Sequence, residues 1–314
     1  MTLFSQLDRW KEQGTITPEQ HVLLSALSRD EPCSVFLPLN ILLYAGVLAF
    51  VGGLGWTVQA YAAQLGDVIV LAALSAILAA SLWYCFSRAS SWSTAETPSP
   101  NLVLDYVLYL GCLTWTLELA YLESQFHLLS GQWDIYLLAT TCFFFALAYR
   151  FDNRFVLSLA LSSLAGWFGI TISRWPGTQE AAYRQYAILY GLVVAVAGIA
   201  LRRLSIKPHF FGTFLNVAAN VLLAAVLSGV FGREGYLLWF LLLLAGCGAS
   251  LAYGLARKQF AFVAYAAVYG YIGLSSVLLR DMNDGTTILT YFVVTGIAML
   301  VTLILIARRF RREA

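Results

Sequence analysis

The feature that most constrains this chain is a series of unbroken apolar runs, of which "YLLWFLLLLAGCGASLAYGLA" at residues 236–256 is the plainest. A helix rises 1.5 Å per residue, so about 20 apolar residues cross a hydrocarbon core roughly 30 Å thick. Lipid offers the backbone no hydrogen-bonding partners, so a spanning segment must be a helix or belong to a closed barrel. The runs lack the apolar–polar alternation of barrel strands. With 60% of its residues apolar and 11% charged, against about 25% charged in a soluble domain, the chain reads as an all-α polytopic membrane helix bundle.

Ten spans are expected, near residues 37–59, 67–87, 101–121, 133–150, 154–173, 182–202, 208–231, 235–256, 259–279 and 286–307. Cytoplasmic loops retain Lys and Arg. With the amino terminus inside, only Arg174, Arg184, Arg233 and Arg280 fall on the far side, which predicts cytoplasmic termini at both ends. A net charge of +2 distributed in this way gives no reason to expect nucleic acid. The closing "ARRFRREA" is a topology anchor, and contact with anionic lipid would add only about 1 kcal/mol per basic residue.

Ahead of the first span lies a polar segment without the apolar core of a signal peptide. Leu3, Leu7 and Trp10 recur at helical spacing and Gly14 is a C-terminal stop. Thr17 then serves as N-cap, Pro18 as the first helical residue and Gln20 as the third, making "TPEQ" a capping box. Val22, Leu23, Leu24 and Leu27 give this second helix an apolar side, so residues 1–34 are expected to form a cytoplasmic αα-hairpin. The hairpin reads as a cap on the bundle, or as a dock for a protein partner.

The stretch "LDRWKEQGTITPEQ", followed by "RDEP" and the glycine-rich "LLYAGVLAFVGGLGW", resembles a bacterial membrane family, domain of unknown function 2157, over residues 1–150. The resemblance implies a bacterial cytoplasmic (inner) membrane setting. It carries no activity, catalytic residue or cofactor.

The remaining organisation is a two-helix lead unit at 35–87, a Ser/Pro-rich cytoplasmic linker at 88–100, and two four-helix units at 101–205 and 206–314. "LAYRFDNRFVLSLALSSLAGWFG" at 147–169 aligns without gaps on "LAYGLARKQFAFVAYAAVYGYIG" at 251–273, an offset of 104. Gly166 meets Gly270 and Gly169 meets Gly273, while Tyr186 and Gly191 meet Tyr291 and Gly296 at an offset of 105. An even number of spans per unit makes the repeats parallel.

A polar stripe accompanies the repeat. His209, Thr213, Asn216 and Asn220 share one helical face, and 104 residues earlier stand Asp105, Tyr109, Cys112 and Thr116. Such groups face protein or a water-filled cavity. They read either as interhelical glue or as a pathway on the repeat axis, with Asp105 and His209 as a proton-sensitive pair at its inner mouth. On the opposite side Glu118, Asp134 and Arg184 form a candidate outer-face cluster with Glu123, His127 and Arg174, including a candidate Glu118–Arg184 ion pair.

Chemistry-bearing motifs are sparse. The five cysteines, Cys33, Cys85, Cys112, Cys142 and Cys247, make no CxxC pair and read as small apolar packers. His21, His127 and His209 fall in different compartments, which predicts no metal site. No nucleophile elbow, zinc-protease or phosphate-loop pattern occurs, so no cofactor and no enzyme are expected. The readings carried forward are a membrane scaffold or accessory protein, a small-solute or proton-coupled transporter, and a lipid-modifying enzyme. Expected partners are the lipid bilayer and a protein meeting residues 1–34.

Overall fold

The computed structural model describes residues 10–11, 13–15, 17, 20–21, 46–57, 66–97, 102–127, 132–174, 180–232, 235–280, 282 and 284–313. Among them are nine helices long and apolar enough to cross a membrane. They are α1 (Asp67–Arg88), α2 (Leu102–Phe126), α3 (Trp133–Phe151), α4 (Arg154–Ser173), α5 (Glu180–Arg203), α6 (Phe211–Val230), α7 (Tyr236–Ala256), α8 (Phe260–Leu278) and α9 (Gly285–Glu313). Of the first expected span, Gly46–Thr57 is an apolar helix, and the rest of that span lies outside the described residues. The all-α polytopic bundle expected from the apolar runs is the architecture observed.

The chain divides into two compact units, Leu43–Phe240 and Met1–Leu42 with Leu241–Ala314. In the first unit, sequential helices pair as antiparallel hairpins, α1 with α2, α3 with α4 and α5 with α6, and α4 also packs on α6. Antiparallel pairing of neighbours is the natural arrangement for consecutive spans that alternate in direction. The core is formed where these hairpins meet, with Leu108, Cys112, Phe144, Val156, Leu161 and Phe214 almost wholly buried. Close approach of α5 to α6 depends on two glycines. A Cβ on Gly191 would lie 2.7 Å from Leu222 Cγ, and one on Gly198 would lie 2.7 Å from Phe214 Cβ. Small residues let membrane helices approach in this way.

In the second unit α8 holds α7 through Ser250 Oγ, which donates to the Phe262 carbonyl at 2.9 Å. It holds α9 through Tyr271 with Thr295 (2.8 Å) and Ser275 with Tyr291 (3.1 Å). The apolar window of α9 contains no buried residue.

Two local patterns recur between the proposed repeats. Tyr186 and Tyr190 on α5 pack on Phe168 of α4, and Tyr291 and Thr295, each 105 positions later, meet α8. The α3–α4 turn places Asp152 in the left-handed region and extends Asn153 at φ −103. The α7–α8 turn does the same with Lys258 (φ 54) and Gln259 (φ −104). These turns match at an offset of 106, two more than the ungapped sequence alignment gives, because α7 and its connection hold extra residues.

Of the amino-terminal hairpin only residues 10–11, 13–15, 17 and 20–21 are described. Gly14 has φ 68, and the Thr15 amide closes on the Trp10 carbonyl at 2.9 Å. The capping box is reciprocal: Thr17 N–H donates to Gln20 Oε1 at 2.9 Å, and Gln20 N–H to Thr17 Oγ1 at 3.2 Å. The remainder of this hairpin, Cys33 included, lies outside the described residues.

Candidate functional site

The most elaborate polar arrangement in the first unit grows from the dipeptide Asp152–Asn153. Helix α3 ends because Asp152 turns left-handed, at φ 57 and ψ 37. Aspartate tolerates this region better than most residues. Asn153 then starts α4 as its N-cap, its Oδ1 accepting from the amides of Phe155 and Val156, both at 3.0 Å. Its amide nitrogen donates to Asp105 Oδ1 at 2.9 Å and to the Tyr109 hydroxyl at 3.0 Å. One side chain therefore caps α4 and ties it to α2.

Asp152 gathers a second set of partners. Its Oδ2 accepts from the Thr97 amide at 2.6 Å and pairs with Lys207 Nζ at 3.0 Å, and its Oδ1 pairs with His209 Nε2. The side chains of Asp152, Lys207 and His209 are 3%, 1% and 8% exposed, so the Asp152 and Lys207 charges interact with little screening by solvent. Among the described residues His209 Nδ1 meets no hydrogen-bond partner. Lys207 is itself left-handed, at φ 49, and its amide donates to the Thr94 carbonyl at 2.9 Å. A left-handed lysine costs roughly 1–2 kcal/mol, and here a backbone bond and a buried ion pair hold it in place.

The 88–97 segment is consequently stitched to the bundle. Arg150 Nη1 donates to the Ser90 carbonyl at 3.0 Å, and Arg154 pairs with Glu96 at 2.7 Å on the exposed side. A cavity of ≈ 20 Å³ lies between the segment and the turns, lined among others by Ser90, Ser93, Thr97, Arg150, Asp152 and Lys207. That exceeds the roughly 10–15 Å³ one water needs, and the walls supply polar partners.

The stripe residues are placed differently from the expected continuous face. His209 belongs to a single 3-10 turn, Pro208–Phe210, ahead of α6. Asp105 is bonded by Asn153, and His209 by Asp152. Tyr109 and Cys112 are core residues. Thr116 bonds back to the Leu113 carbonyl at 2.8 Å. Asn216 donates to the Gly212 carbonyl (2.8 Å), and Asn220 to the Asn216 carbonyl (2.9 Å), each on its own helix. Thr213 stands half-buried on the same helix.

The outer-face residues separate into distinct clasps. Glu118 accepts from Ser75 Oγ at 2.5 Å, joining α1 to α2. Asp134 pairs with Arg174 at 2.8 Å, joining α3 to the end of α4. Arg184 donates to Ser228 Oγ at 3.3 Å, joining α5 to α6. The candidate Glu118–Arg184 pair is therefore replaced by separate partners on adjacent helices. Glu123 accepts from the Tyr136 hydroxyl at 2.7 Å, and His127 sits at φ 47 just beyond α2. Among the described residues no group of three or more His, Cys, Asp or Glu side chains gathers as metal ligands would.

The pattern reading of the chain passed over Asp152, Asn153, Lys207 and Thr97. A signal was present in "RFDNRF", where an Asp–Asn pair flanked by Arg150 and Arg154 separates two apolar runs and both residues favour caps and left-handed turns. The fold defines a multi-pass membrane protein, and the site defines a buried polar node where two interhelical turns and an interhelical segment meet. No known family matches this chain, and neither a curated protein nor a solved structure does.

Proposed function

We propose that this multi-pass protein is a non-enzymatic scaffold or accessory protein of a bacterial inner membrane, with both termini cytoplasmic. The observation that carries the reading is how the polar side chains of the spans are used. Asp105, Asn153, Glu118, Glu123, Asp134 and Arg184 each join one helix to another, as expected where polar groups act as glue. A body braced in this way suits a protein that presents fixed surfaces, and α9, with no buried residue in its apolar window, offers one such surface to lipid or to a partner helix. The likeness to domain of unknown function 2157 and the tandem four-helix repeat belong to the same proposal.

The test is retention of partners. The full chain and a version lacking residues 1–34 are cross-linked in native membranes and the attached proteins compared, with assembly of the spans checked by gel filtration. Loss of a specific partner on deletion, with the bundle intact, is the expected outcome. Identical cross-linked products from both forms contradict docking through the hairpin.

A second reading, proton-coupled transport, draws on the buried ionisable group of Asp152, Lys207 and His209 beside a water-sized cavity. It requires proton flux into proteoliposomes that Asp152→Asn abolishes. Flux equal to that of empty vesicles removes it.

A further inference from the structure

A groove of ≈ 550 Å³ opens between the start of α5 and the end of α6, lined by Tyr183, Arg184, Ala187, Val221, Ala224 and Ser228, with Ala225. Its volume lies in the range of small-molecule sites. The alanines leave a mostly apolar floor, and the arginine stands at the end nearest the helix termini.

Arg184 differs from the ion-paired basic groups described above. Arg154, Arg174 and Lys207 each meet a carboxylate. Arg184 is held instead by the Ser228 hydroxyl and by the face of Trp239, whose ring centre lies 4.7 Å from the guanidinium carbon. Neither neighbour carries negative charge. They fix Nε and one face of the guanidinium, and no carboxylate of the described residues pairs with it at the mouth of the apolar furrow.

A guanidinium is matched in geometry and charge by a phosphate. In a membrane protein, the layer at the helix ends is the phospholipid headgroup region. We propose that this groove binds one anionic phospholipid, with its phosphate on Arg184 and an acyl chain along Ala187, Val221 and Ala224. A zwitterionic lipid fits less well, because its own cation competes with Arg184 for the phosphate.

Trp239 reports on the site. The full chain is reconstituted in phosphatidylcholine containing a small share of chain-brominated phosphatidylglycerol, and the quenching due to Trp239 is taken by difference from the Trp239→Phe form. Wild type should quench as if phosphatidylglycerol were enriched roughly fivefold over its bulk share, the equivalent of about 1 kcal/mol for one basic residue. Arg184→Gln and Ala224→Leu, each compared with its own Trp239→Phe counterpart, should return to the bulk value, the first by removing charge and the second by filling the furrow. Arg184→Lys should keep part of the enrichment. Quenching at the bulk value in wild type overturns the proposal, as does enrichment that survives both variants. Should Arg184→Gln fail to fold by circular dichroism, Ala224→Leu decides the question, since it leaves the Arg184 contacts in place.

Discussion

Replacing Asp152 with asparagine isolates the electrostatic part of the polar node. Asparagine matches aspartate in size and tolerates the left-handed conformation, so the backbone at φ 57 is not strained by the change. It retains an oxygen able to accept from the Thr97 amide. What disappears is the charge opposite Lys207, whose side chain is 1% exposed. Removing one partner of a buried pair leaves an uncompensated charge and costs about 3–5 kcal/mol. Lys207→Met costs less, about 1.5–3 kcal/mol, the value of one hydrogen bond to a charged group, because Asp152 keeps the Thr97 amide and His209. The double variant has no stranded ammonium, so its loss should fall short of the sum of the single losses by about 2 kcal/mol, within the coupling seen for residues in one network. The assay is unfolding in mixed micelles by titration with sodium dodecyl sulfate, followed by circular dichroism. An Asp152→Asn protein within about 0.5 kcal/mol of wild type, the range of an ordinary surface change, would refute the reasoning. So would single losses that simply add.

Other perturbations probe separate parts of the structure. Asn153→Ala removes a helix cap worth about 1 kcal/mol and the amide bound by Asp105 and Tyr109, so the same titration should show a loss of about 2–3 kcal/mol. Gly198→Ala places a Cβ 2.7 Å from that of Phe214 and should lower stability by about 1–3 kcal/mol through overpacking, whereas alanine at Gly212, with open space around it, should not. Bonds from the Thr287 hydroxyl and from the amides of Thr287 and Thr286 hold the Asp284 carboxyl below its ordinary value of 3.8. Its contribution is thus complete above that value and is lost as pH falls through the depressed one. Amide exchange at residues 286–288, corrected for intrinsic pH dependence, should speed up over that acidic interval, and Asp284→Ala should show the faster exchange at every pH.

The apolar runs made most of the fold legible, because span length and lipid exclusion leave the backbone one solution. The capping box at Thr17 and Gln20 was equally readable, since it depends on residues three apart. Partners distant in sequence were not. Nothing in a pattern indicates that Lys207 reaches back across α4 and α5 to Asp152, or that the 88–97 segment lies against two turns instead of running free. The partner of His209 was hidden for a related reason. Helical spacing from residue 209 to residue 220 assumed α-helical winding throughout, but the first turn, Pro208–Phe210, is wound as a 3-10 helix, whose roughly three residues per turn set His209 off the face of Asn216 and Asn220, where it meets Asp152.

The central claim is that the polar residues within the spans are bonded within the protein and do not line an aqueous path. Single cysteines placed at Asn216 and Asn220, in a chain whose native cysteines are replaced by alanine, test it in intact membranes. A small charged thiol reagent should leave both positions unmodified from either side while modifying a control cysteine in an aqueous loop. Rapid modification at Asn216 or Asn220, at a rate near that of the control, would contradict the account and favour a water-filled passage through the first unit.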